Sequence, residues 1–263
     1  MKILAIIGMT LAASVLPAMH THFNQPAGHA VVAADSIDIR EQINRSIPLS
    51  PGADVRIRGI NGSVTIETLE GAETAELDIT ITASDREALA RRPLLIDDGG
   101  NSLTIRTENN NESNRRGEWV RHTVRLRLPR SVSLNVSSVN GGLDVGAITG
   151  GVKISSINGR VKVEQAASAT EISSINGGLL IGLEQLSSAG LRVSSINGGA
   201  EIKLGGAVNA EIEVRSVNGS INSEFPLTVV GEVKRGELRG TLGSGGAMIS
   251  ITSVNGGVNL RRL

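Results

Sequence analysis

Between residues 132 and 263 the chain is written in short runs where apolar and polar residues alternate, and Asn-Gly punctuates the runs. Alternation with period two marks strands that keep one face in a core. In one copy the apolar positions are Val152, Ile154, Ile157, Val161 and Val163. The period holds from 152 to 154 and from 161 to 163, but the step from 154 to 157 is three. That slip predicts a bend near Ser155 and Ser156. It also places Ile157 inside the core, stacked with Ile175, Ile196 and Val217 of the other copies.

Asn-Gly occurs seven times, at Asn61, Asn140, Asn158, Asn176, Asn197, Asn218 and Asn255. Each is preceded by Ile or Val, and six of those are preceded by serine (Ser138, Ser156, Ser174, Ser195, Ser216, Ser253). From Asn140 the spacings are 18, 18, 21, 21 and 37 residues, so a coil without the motif is expected around Gly236. A fixed period near 20 residues is the signature of a solenoid. Asn-Gly between alternating runs is also a strong hairpin signal, because a type I′ turn needs positive φ twice. A meander of hairpins therefore competes with a stack of coils. Copies that share the same slip can stack like on like, which favours a parallel β-solenoid of 18–21-residue coils with the asparagines as repeat corners. In that fold Asn140, Asn158, Asn176, Asn197 and Asn218 form one column.

The chain divides into three parts on this reading. Residues 1–34 read as a signal peptide and linker: Lys2 precedes an apolar run over 3–18, shorter than the roughly 20 residues of a spanning helix. Residues 35–130 read as a β-rich N-terminal cap. It has strands over 54–58, 63–68, 75–83, 94–97, 102–107 and 119–128, and a short helix opened by Ser84-Asp85-Arg86-Glu87. Residues 131–263 are the solenoid repeats.

Composition narrows the classes. Three aromatic residues (Phe23, Trp119, Phe225) and no tyrosine remove the aromatic girdles of an outer-membrane barrel and leave a thin aliphatic core. Zero cysteine excludes disulfides and thiolate metal sites. Twenty-six basic against 26 acidic residues give no reason to expect nucleic acid. No second apolar span follows the leader, so no transmembrane domain is expected in the mature chain.

Three stretches carry a family resemblance: PGADVRIRGINGSVTIE near the start, the tandem [VI]-S-S-[VI]-N-G copies, and LGSGGAMISITSVNGGVNLR at the end. Over about 43–263 the chain resembles a bacterial family of exported β-strand-repeat proteins labelled putative adhesins, a domain of unknown function. The resemblance implies a β-solenoid at the cell envelope or surface, and it supplies no catalytic residues.

Chemistry-bearing residues are sparse. His20, His22 and His29 fall in or after the leader, and His122 shares a strand face with Val120, Val124, Leu126 and Leu128. The hydrolase, zincin and P-loop motifs are missing, so no catalytic, cofactor or metal residues are expected. A polysaccharide-acting β-helix enzyme is the alternative, and it would need grouped carboxylates. Asp144 and Glu201 instead share their repeat position with the basic Lys162, which predicts a solvated face. The densest charge is basic: Arg121, Arg125 and Arg127 alternate with apolar residues and make one face, opposed locally by Glu118 alone. That face suits an anionic partner. The expectation is an exported, non-enzymatic binding or scaffold protein, with envelope polymer or another surface protein as partner and no cofactor. The sequence leaves the oligomeric state open.

Overall fold

The computed structural model describes residues 38–108, 117–167, 170–229 and 235–263. The stretch read as a signal peptide and linker, with His20, His22 and His29, and residues 109–116, with Arg115 and Arg116, lie outside the described residues. The side chains of Ser138 and Val139 do as well.

Alternation produces strands wherever it was read. The N-terminal strands are β1 (Ile39–Pro48), β2 (Asp54–Leu69) and β3 (Thr74–Ala83). Then come α1 (Arg86–Arg91), β4 (Leu94–Asp98), β5 (Ser102–Thr107) and β6 (Val120–Pro129). The repeats supply β7 (Ser133–Asn140), β8 (Leu143–Ile148), β9 (Val152–Asn158), β10 (Val161–Ala166), β11 (Thr170–Asn176) and β12 (Leu179–Leu183). They continue with β13 (Leu191–Asn197), β14 (Ala200–Leu204), β15 (Ala210–Asn218) and β16 (Ile221–Ser223). The chain ends through β17 (Thr228–Val229), β18 (Glu237–Leu242), β19 (Ala247–Asn255) and β20 (Val258–Arg262). Asp85 caps α1 by accepting from the Ala88 amide at 2.6 Å.

The fold is all-β, with a mixed sheet that is nearly closed and barrel-like. Its strands form two ladders that enclose an aliphatic core. One runs β4-β5-β2-β7-β9-β11-β13-β19-β15-β18-β17, and the other β1-β3-β6-β2-β8-β10-β12-β14-β20-β16. Strand β2 belongs to both: Asp54 to Asn61 pairs in the first ladder and Gly62 to Leu69 in the second. The bend between the ladders therefore falls at Asn-Gly. Gly141, Gly159, Gly177, Gly198 and Gly256 stand there with φ between 135° and 158°. Only glycine adopts that backbone readily.

Four expectations are corrected. The pairs are not all parallel: β1–β3, β3–β6, β4–β5, β15–β18 and β17–β18 are antiparallel and lie toward the ends of the ladders. The 37-residue gap does not hold a coil without the motif. It holds the antiparallel strands β17 and β18, which turn the chain back along β15. As a result the rungs are out of chain order, because β19 pairs with β13 on one side and β15 on the other. Asn197 is registered with Asn255, and Asn255 with Asn218.

The fourth correction concerns the core. Ile157, Ile175 and Ile196 are 40–41% exposed and Val217 is 72% exposed, whereas Ser156, Ser174, Ser195 and Ser216 are buried. Alternation from Val152 continues unbroken through Ser156, and the slip falls at the asparagine rather than at the serine pair. Serine occupies the inner position beside the corner. Its hydroxyl reaches a nearby carbonyl in some rungs, as Ser195 Oγ does with Gly198 O at 2.9 Å and Ser253 Oγ with Gly256 O at 3.0 Å.

Candidate binding surfaces

The outer face of the first ladder carries three adjacent rows built by register. Ser137, Ser155, Ser173, Ser194 and Thr252 form one. Ile157, Ile175, Ile196, Val254 and Val217 stand beside them, one residue before each asparagine. The third row is the asparagine column. There Asn158, Asn176, Asn197, Asn255 and Asn218 each donate from Nδ2 to the Oδ1 of the preceding rung, at 2.7–3.0 Å. Asn61 leaves this pattern and donates to the Val120 carbonyl at 2.8 Å.

Charge enters these rows only at the end rungs, where Arg58 pairs in register with Ser137 and Arg215 with Thr252. The middle of the band is uncharged and aliphatic at its centre. An exposed apolar patch rimmed by polar groups is a common mark of a contact surface. Sequence reasoning missed it by placing the aliphatic row inside. Strict alternation from Val152 was the available signal.

The arginine face exists, but it is more neutral than the sequence suggests. Arg121, Arg125 and Arg127 point outward from β6, between β2 and β3. Acids come from those neighbours: Arg127 binds Glu67 at 3.0 Å and Glu76 at 3.2 Å, and Asp78 lies opposite Arg125 in register. These carboxylates hold the Arg127 guanidinium more firmly protonated than usual. Arg121 sits 6.0 Å above the Trp119 ring. Glu118, the acid expected to oppose the arginines, instead pairs with Arg91. On the other side of β3, Arg40 of β1 shares the register line of Thr82 and Arg121.

The acidic residues considered for catalysis are spread along the ladders. Lys162 is registered with Asp144 and binds Glu164 at 3.1 Å. Lys153 binds Glu171 at 2.8 Å, which lowers the Glu171 pKa. Glu201 lies 3.7 Å from Lys203, and Glu213 lies 2.8 Å from Arg215. Among the described residues no cluster of three metal-ligating side chains forms.

His122 is 2% exposed, and among the described residues neither ring nitrogen has a hydrogen-bond partner. Burial depresses its pKa below the ordinary 6.5; the Asn61 backbone opposes the shift and Arg92 adds to it. The unfolded chain therefore takes up this proton near pH 6.5, whereas the native chain resists until the pH is lower. Stability from this group is complete above that value and declines as pH falls toward the native pKa. Urea midpoints measured between neutral pH and about pH 5 should fall for the wild type. They should fall less for His122→Leu, and equal slopes would show that this histidine does not contribute.

No family model matches the chain, and no curated protein does. Solved structures do resemble it. A putative cell adhesion protein from Clostridium sporogenes is similar with a TM-score of 0.50 and 11% identity, over 86% of this chain and 100% of that one. A putative adhesin from Bacteroides fragilis matches over 84% of this chain and 97% of its own, at 12% identity and a TM-score of 0.35. At such an identity the Clostridium likeness is one of fold alone.

Proposed function

We propose that the protein is an exported, non-enzymatic β-solenoid that acts by surface contact, as an adhesin-like binding or scaffold protein of the cell envelope. The parallel, in-register pairing of the stacked repeats supports the solenoid reading, with residues 35–130 as its cap and 131–263 as its coils. The observation that carries the contact reading is the uncharged band centred on Ile157, Ile175 and Ile196. Its backbone is held in paired strands and its asparagine side chains are hydrogen-bonded to one another, so little backbone freedom is lost when a partner docks. Glu164, Glu171, Glu201 and Glu213 are each paired with a nearby base and stand apart from one another, which suits a scaffold better than a glycosidase.

The test compares binding of purified wild type and the Ile175→Asp/Ile196→Asp variant to cell envelopes isolated from the source organism. The wild type should bind and the folded variant should lose most of that binding. Equal binding by both would remove this band as the site.

A second docking face is the arginine face, where Arg121 and Arg125 stand on β6 and Arg40 on β1, with β3 between them. With Arg127 already engaged, Arg121 and Arg125 are left to meet an anionic polymer. That interaction should weaken between low and moderate salt, since exposed charges are screened over about 8–10 Å.

A further inference from the structure

We infer that Asn218-Gly219 is a site of spontaneous deamidation, singled out because its rung terminates the asparagine column. In Asn-Gly the glycine nitrogen attacks the asparagine side-chain carbon with little steric hindrance. The new C–N bond forms as the Cγ–Nδ2 bond breaks, and ammonia leaves with the proton lost by the glycine amide. Water then opens the five-membered succinimide at either carbonyl, giving aspartate or isoaspartate. One water enters and one ammonia leaves, with no oxidant or reductant.

A glycine amide that donates within a ladder is a poor nucleophile. Gly141, Gly159, Gly177, Gly198 and Gly256 each donate to the carbonyl of the next rung's asparagine, at 2.7–3.1 Å. Gly256 donates to the Asn218 carbonyl at 3.1 Å, and no asparagine rung follows Asn218. Among the described residues the Gly219 amide has no acceptor, and the Asn218 side-chain oxygen receives no donor from a further rung. Val217, 72% exposed against about 40% for its counterparts, marks the same uncovered end.

Chain order would make Asn255 the terminal rung. The insertion of β19 between β13 and β15 protects Asn255 and exposes Asn218 instead. Each event would add one negative charge at the end of the asparagine column, and the isoaspartyl product would lengthen the backbone there by one carbon.

The experiment incubates the full chain in mildly alkaline buffer and follows the one-dalton mass gain by peptide mapping. Trypsin leaves each of the seven Asn-Gly pairs on its own peptide, so the rates are read separately. Asn218 should convert roughly tenfold faster than Asn158, Asn176, Asn197 or Asn255, about the factor expected for one missing hydrogen bond. In denaturant the seven rates should converge, because protection belongs to the ladder. Faster conversion of Asn255 than Asn218 in the folded protein, or equal rates along the column, would overturn the inference.

Discussion

Ile172→Asp should unfold the protein, while Ile175→Asp, three residues away, should shift its melting temperature by no more than a few degrees. Ile172 is 0% exposed and stands between Ile154 and Val193 in register. A carboxylate there has no partner and no water, which costs at least about 3–5 kcal/mol. A domain of this kind has roughly 5–15 kcal/mol in all. Ile175 points outward, where a charged group stays hydrated and a surface change is worth about 0.5 kcal/mol. Thermal melts of the two variants decide the matter. Loss of folding in Ile175→Asp would return the aliphatic row to the core and withdraw the proposed contact surface.

Gly177→Ala should be nearly as damaging, although it adds a single methyl group. Gly177 has φ 154°, and a Cβ built on it would lie 1.9 Å from the Gly159 carbonyl oxygen. The backbone conformation alone costs a non-glycine residue about 1–3 kcal/mol. Displacing the neighbouring rung adds about as much. The displaced carbonyl belongs to the next corner, where a Cβ on Gly159 would meet Gly141 O at 1.8 Å, so the column has little slack. Gly206→Ala is the control, since nothing lies within 4 Å of its Cβ position. A denaturant midpoint for Gly177→Ala equal to that of the control would mean that the corners are looser than this geometry.

The sequence by itself determined what depends on near neighbours along the chain. Two-residue alternation made strands, Asp85 placed the start of the helix, and glycine after each asparagine made the corner. Recurrence of one motif also determined which residues meet, since identical copies pair best in identical register. The order of the rungs was decided only in three dimensions. Copies with the same register are nearly interchangeable as partners, so nothing local to Asn255 says that it lies between Asn197 and Asn218. The antiparallel turn through β17 and β18 makes that choice by returning the chain before the last strands pair. The charge of the arginine face was likewise a tertiary matter, because Glu67, Glu76 and Asp78 reach it from strands at least 40 residues earlier. The aliphatic row lay between the two cases. Its outward direction was legible in the alternation through Ser156, but hydrophobicity argued for the inside. Backbone geometry prevailed because a strand cannot turn two successive side chains to the same face without a bend, and the bend comes at the asparagine.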